Sequence, residues 1–209
     1  MPKPLIVITG PTAVGKTKLA VKVAEKLNGE IINADSRQVY RKMNLGTGKD
    51  LEEYTINEKE IPYHLINICD PGYEYNIKEY QQDFHHIYDE LVSKKKEMIL
   101  CGGSGLYIES ALEGNPFAFI PVDHSLRNEL IDESKSRLNS LISTELKKNL
   151  NINSLTTHKR LVRAVEINEF LKTNLIPTSV EAIPASIFVL TLERERVKEN
   201  IIARLKYRL

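Results

Sequence analysis

No apolar run in the 209-residue sequence approaches the roughly 18 to 20 residues that span a bilayer. Met1-Pro2-Lys3-Pro4 leads straight into a short strand-like run, with neither the apolar core nor the small-residue cleavage site of a secretory leader. A cytoplasmic protein without membrane contact is the expectation. Cysteine is scarce. Cys69 and Cys101 lie far apart, form no C-x-x-C pair and sit at the ends of apolar runs, which argues against a disulfide framework and a zinc site. His64, His85, His86 and His124 show no metal-ligand spacing with acidic or cysteine partners. Charge of one sign is missing too: 29 Lys and Arg face 28 Asp and Glu, so a nucleic-acid partner would have to be recruited by a local basic patch. Such a patch is available, because the chain is mostly acidic from Asp50 to Glu90 but basic from Arg194 onward. A solvated helix face explains that tail equally well.

What is present is an ordinary globular composition, 42% hydrophobic and 27% charged, without repeats or low-complexity tracts. Leu5 to Thr9 is β-branched and unalternating, as expected of a strand buried on both faces of a parallel sheet. A glycine-rich turn follows, then a helix from Lys16 to Leu27 with Leu19, Ala20, Val23 and Leu27 at helical spacing and Asn28-Gly29 as a stop. Further strands are expected at Ile31 to Ala34, Met98 to Cys101 and Ile187 to Leu192, and helices at Asn76 to Val92 and Thr157 to Leu171. Strands alternating with helices predict an α/β fold, a parallel sheet flanked by helices with a small helical insertion. Residues 1–114 read as its core, 115–155 as the insertion and 156–209 as a return to the core with a basic helix, a last strand and the start of a C-terminal helix.

Gly10-Pro11-Thr12-Ala13-Val14-Gly15-Lys16-Thr17 fits G-x-x-x-x-G-K-[ST] and stands between a buried strand and a helix start, where a phosphate loop belongs. Its backbone N–H groups and the helix dipole suit a diphosphate, Lys16 adds a positive charge, and the Thr17 hydroxyl suits Mg²⁺. A nucleotide-hydrolysing relative would add a strand ending in a metal-directed acid. Here the Met98 to Cys101 run ends in glycines, and the nearest acid at a strand end is Asp35. Asp35 suits a general base, a metal ligand or a simple turn aspartate.

The phosphate loop, Asp35-Ser36-Arg37-Gln38-Val39-Tyr40, Gly46-Thr47-Gly48-Lys49, Asp70-Pro71, Gly102-Gly103-Ser104-Gly105-Leu106-Tyr107 and Arg160 to Glu166 together resemble, in order, the motifs of the tRNA dimethylallyltransferases, also called tRNA isopentenyltransferases. The resemblance implies a phosphate-loop fold and transfer of a dimethylallyl group from dimethylallyl diphosphate to the exocyclic amine of adenosine 37, in tRNAs reading codons that begin with U. It implies that the loop holds a departing diphosphate with Mg²⁺ at Thr17. Asp35 would accept the amine proton, and Lys16 and Arg204 would contact the diphosphate. Contacts to the tRNA anticodon stem-loop would fall on Asp35, Ser36, Arg37, Gln38, Ser104, Arg127 and the run Lys159, Arg160, Leu161, Val162, Arg163. A monomer is the expected state. Asn200 stands where the family carries the first of an arginine pair, the insertion is abbreviated, and the chain ends where relatives continue, so a fragment or a reduced form is implied. Prenyl transfer to a free adenine nucleotide and a catalytically weak phosphate- or RNA-binding module are the competing readings.

Overall fold

The computed structural model describes residues 4–150, 155–177 and 180–208. Along the chain run β1 (Leu5–Thr9), α1 (Lys16–Leu27), β2 (Glu30–Asn33), a 3₁₀ turn at Leu51–Tyr54, β3 (Thr55–Ile56), β4 (Lys59–Glu60), β5 (Tyr63–His64), α2 (Ile77–Ser93), β6 (Met98–Cys101) and α3 (Gly105–Leu112). After a second 3₁₀ turn at Pro116–Phe119 come α4 (His124–Glu129), α5 (Lys135–Leu141), α6 (Thr144–Asn149), α7 (His158–Leu171), β7 (Ala185–Val189) and α8 (Arg194–Arg208). Two compact units result: Met1–Gly114 with Val180–Leu209, and Asn115–Ser179.

The first unit is built on a parallel sheet of order β5-β2-β6-β1-β7. Alternate residues of its three inner strands serve opposite faces, which is why those runs are apolar without alternation. Val7, Ile32 and Leu100 pack with Tyr80, Phe84 and Leu91 of α2 and Tyr107, Ile108 and Ala111 of α3. Ile8, Ile31 and Ile99 pack with α1 and with Tyr54 and Ile61 on the other side. Asn76 caps α2 in a reciprocal capping box with Glu79. Tyr80 stacks on Tyr107 with centroids 3.8 Å apart and donates its hydroxyl to the Asn33 carbonyl, 3.1 Å away.

Three expectations shift. α1 buries Ala20, Val21 and Ala24, whereas Leu19 and Leu27 stay 37% and 41% exposed. Small residues let the helix axis approach the sheet, so the larger leucines ride on the flanks. The second strand starts and ends one residue earlier than expected, which leaves Ala34 and Asp35 on the loop beyond it. The last strand is displaced to Ala185–Val189 and lies at the sheet edge, with Ile187, Phe188 and Val189 exposed.

The second unit is helical. Its core comprises Ile120, Leu130, Leu138, Ile142 and Leu146 packed on Leu161, Val162, Val165 and Ile167 of α7. Asp123, Ser134, Ser143 and Thr157 each cap the helix that follows. The basic helix α7 therefore belongs to this unit and not to a segment returning to the sheet, because its apolar face is the unit's core.

Candidate active site

The phosphate loop leaves β1 through Gly10 at φ +139°, where a Cβ would stand 2.3 Å from the Leu190 carbonyl oxygen. Ala13 and Gly15 also have positive φ, 60° and 92°. Gly15 sits at the N-terminal end of α1 and supplies no side-chain cap, so the first-turn N–H groups are left for an anion. Lys16 Nζ donates to the Pro11 carbonyl at 2.6 Å, folding its charge over the loop. Burial lowers the Lys16 pKa, while the negative charges of Cys101, when ionised, and Asp35 work in the opposite direction.

Asp35 follows β2 in a tight side-chain-stabilised turn. Its N–H donates to Asn33 Oδ1 at 3.0 Å, and its own Oδ1 accepts from the Arg37 N–H at 2.9 Å. Asn33, 2% exposed, donates Nδ2 to the carbonyls of Asp35 and Leu65, each at 3.0 Å, so a buried amide fixes the backbone under the carboxylate. From the end of β6, Ser104 Oγ accepts from the Ser36 N–H at 3.0 Å. Gly102 makes this meeting possible: a Cβ there would stand 2.2 Å from the Ala34 carbonyl carbon. The turn aspartate and the cavity carboxylate are the same residue, and one reading does not exclude the other.

One cavity of 1210 Å³ in the first unit is lined by Gly10 to Thr17, Asp35, Ser36, Arg37, Gln38, Ser104 and Arg204. These expected site residues thus converge beyond the carboxyl ends of parallel strands. Glu52, Glu53, Asp50, Asn200 and Arg208 line the same space, and sequence reasoning had given none of them a positive role there. The Asn200 amide donates to the Ala13 carbonyl at 2.9 Å, tying α8 to the tip of the phosphate loop. Arg204 and Arg208 both bond the Asp50 carboxylate. Asn200, Arg204 and Arg208 recur every fourth residue and so share one helical stripe, which was the available signal. Burial pushes the Asp50 carboxyl up, but the hydrogen bonds from Arg208 and Arg204 outweigh it and hold the pKa below its usual value. Glu53 is shifted up, by burial first.

The other expected RNA contacts lie on the helical unit, where several of their side chains are engaged within the protein. Leu161 and Val162 are 3% and 7% exposed core residues, so their side chains face inward. Arg127 donates Nε and Nη2 to the two oxygens of Glu166 at 2.7 and 2.8 Å. Arg163 bonds Glu166 at 3.1 Å and the carbonyls of Phe117 and Ile120 at 3.0 and 2.7 Å. Both arginines are internal ties around a buried carboxylate. Lys159 and Arg160 are on the exposed side of α7.

Among the described residues, no group of three or more His, Cys, Asp or Glu is placed to hold a metal ion. The Thr17 hydroxyl, on the lining of this cavity beside the phosphate loop, still fits Mg²⁺, a hard ion that retains waters and takes the rest of its oxygens from a phosphorylated ligand. No helix among the described residues is long and apolar enough to cross a membrane.

A strand, glycine loop and helix on a parallel sheet define a phosphate-loop α/β protein, here with its facing carboxylate after β2 instead of at the end of β6. Residues 38–209 match the family model described as IPP transferase, and the chain belongs to that family. It is 48% identical over 206 residues to tRNA dimethylallyltransferase 2 of Phocaeicola vulgatus, covering 98% of this chain and 67% of that protein. The full-length tRNA isopentenylpyrophosphate transferase of Bacillus halodurans superposes with a TM-score of 0.62 at 31% identity, over 98% of this chain and 65% of that one. A eukaryotic dimethylallyltransferase acting on tRNA shares the fold, with a TM-score of 0.69 at 22% identity over 98% of this chain and 53% of the other. The chain thus spans about two thirds of the length of its bacterial relatives.

Proposed function

We propose that this chain transfers a dimethylallyl group from dimethylallyl diphosphate to the N6 amine of adenosine 37 in tRNAs reading codons that begin with U. The observation that carries this reading is the placement of Asp35 and the phosphate loop on one cavity. The bond between the allylic carbon and the diphosphate oxygen breaks, and its electron pair leaves on the diphosphate. The loop N–H groups, the start of α1 and Lys16 receive that growing charge, so they bind the transition state more strongly than the substrate. The Thr17 hydroxyl would hold Mg²⁺, which when bound would add positive charge against the departing diphosphate.

The adenine amine is a weak nucleophile and must lose a proton as its bond to the allylic carbon forms. Asp35 takes that proton. One of its oxygens is occupied by the Arg37 N–H, which leaves the other for the amine. Ser104 fixes the turn that carries Asp35, Ser36 and Gln38, and these side chains face the base edge. The Gln38 amide nitrogen lies 3.5 Å from the carbonyls of Thr47 and Gly48, a contact weak enough to exchange for a base. A stacked base cannot enter the cavity, so adenosine 37 is extruded into it, and Arg37 at its rim offers positive charge to the RNA backbone.

The decisive experiment incubates the chain with dimethylallyl diphosphate, Mg²⁺ and an anticodon stem-loop, and reads product by mass spectrometry. Prenylated adenosine 37 is expected, and Asp35→Asn should abolish it while retaining diphosphate binding. AMP and ATP in parallel test the free-nucleotide acceptor. Transfer to AMP but not to the stem-loop, or Asp35→Asn turning over normally, would refute the proposal.

A further inference from the structure

We infer that Arg208, held by Asp50 beside Arg204, is a further binding residue for the diphosphate of the allyl donor. This rests on the prenyl-transfer reading and adds to it a residue that lies outside every motif quoted above.

The inference starts from unequal charge. Arg208 Nε donates to Asp50 Oδ1 at 2.8 Å, its Nη2 donates to Oδ2, and Arg204 Nη2 shares that second oxygen. A forked arginine and one carboxylate already make a complete neutral pair. The second guanidinium exceeds what the Asp50 carboxylate alone can neutralise, Glu53 offsets part of that charge from a distance, and guanidinium donors on both arginines remain beyond those that Asp50 engages. Among the described residues, the salt bridges of Arg204 and Arg208 are with Asp50; Glu53 lines the same cavity and feels the Arg204 charge without a salt bridge to it. Side-chain exposure of Arg208 is 16% and of Arg204 33%, so the surplus is shielded from bulk water, where an anionic ligand gains most from it.

Geometry directs that charge. The cluster lines the same cavity as the phosphate loop, and α8 is fastened to that loop through Asn200. Asp50 is fixed from its own side by Lys49, 4% exposed, whose ammonium donates to the Tyr40 carbonyl and to Asn67 Oδ1. Arg208 passes over the glycine loop before Asp50: a Cβ on Gly48 would lie 3.7 Å from its Nη2. A pinned carboxylate holding two guanidiniums on the cavity that the phosphate loop also lines is a preorganised anion receiver. Arg208 binds diphosphate, and Asp50 is a positioning residue that acts through the arginines.

The test titrates Mg²⁺ and inorganic diphosphate into the full chain by calorimetry and pairs this with steady-state transfer. Arg208→Ala should weaken diphosphate binding about tenfold or more. It should raise KM for dimethylallyl diphosphate in proportion and leave KM for the stem-loop unchanged, a split that general loosening of the fold would not give. Arg208→Lys should restore part of the loss, since it keeps the charge but not the fork. Asp50→Asn should also weaken binding. Unchanged diphosphate affinity in Arg208→Ala overturns the inference, as does tighter binding in Asp50→Asn, which would mean that the carboxylate withholds the arginines. Diphosphate binding that depends on Arg208 in a chain that never transfers prenyl would overturn the functional proposal alone. No diphosphate binding by the unaltered chain overturns both.

Discussion

Replacing Glu166 by Gln isolates the interaction that ties Arg127 and Arg163, two of the expected RNA contacts, to a buried carboxylate. The Glu166 side chain is 1% exposed and accepts four donors: Arg127 Nε at 2.7 Å, Arg127 Nη2 at 2.8 Å, Arg163 Nη1 at 3.1 Å and the Asp123 N–H at 3.0 Å. An amide replaces one acceptor oxygen by a donor, so at least one guanidinium N–H meets another N–H, and two positive charges lose their counterion. Removing one member of a fully buried pair costs about 3–5 kcal/mol. Arg127 and Arg163 are 34% and 26% exposed and can turn partly toward water, so the expected loss falls to about 2–3 kcal/mol. Urea denaturation followed by far-UV circular dichroism measures it, with hydrogen exchange at Leu161 to Ile167 assigning it to the helical unit. The pH dependence supplies a second check. Burial pushes the Glu166 carboxyl up, but the hydrogen bonds from Arg127, Arg163 and the Asp123 N–H win and hold it below its usual 4.5. A lowered folded-state pKa means stability fully present above the unfolded value and lost as pH falls through the folded one. The gap between wild type and Glu166→Gln should be constant from neutral pH down to about pH 5 and close below about pH 4. A loss under about 0.5 kcal/mol, the range of an ordinary surface substitution, would refute the reasoning, as would a gap that widens in acid.

Two further predictions concern the scaffold. Gly102→Ala must open a 2.2 Å approach to the Ala34 backbone, so it should cost about 1–3 kcal/mol and, by displacing Asp35 from the phosphate loop, lower transfer about a hundredfold. Near-normal turnover with a normal melting temperature would count against that steric argument. Asn76→Ala removes the capping box of α2 and should destabilise the chain by about 1 kcal/mol in the same denaturation assay without changing KM for either substrate.

Local chemistry made much of this site legible. Gly10, Gly15, Lys16 and Thr17 form their loop through neighbours in sequence, and the β-branched run before them and the amphipathic run after them specify strand and helix almost independently of the rest. Asp35 could be placed at a strand end for the same reason. Its role could not, because a turn aspartate and a cavity carboxylate have the same local sequence and differ only in what faces them. The basic helix shows the opposite failure. Lys159, Arg160 and Arg163 read as a solvated helix face, yet Glu166 on the same helix is buried and draws in Arg163 and, from another helix, Arg127, a pairing across 39 positions that no short window contains. Helical periodicity already sets Leu161 on the apolar face with Ala164 and Val165, and only the family resemblance places Leu161 and Val162 among RNA contacts.

By itself the sequence determined the phosphate loop, the strand and helix that frame it, and the ordered motifs that mark the family, since each depends on backbone preferences and side chains within a few residues. Tertiary structure decided which of the charged groups are available. Asp50 with Arg204 and Arg208, and Glu166 with Arg127 and Arg163, are partnerships between distant segments. A charge is spent on a protein partner or kept for a ligand only once packing has fixed its distance from its neighbours, because Coulomb energy and hydrogen-bond geometry depend on position in space and not on order along the chain.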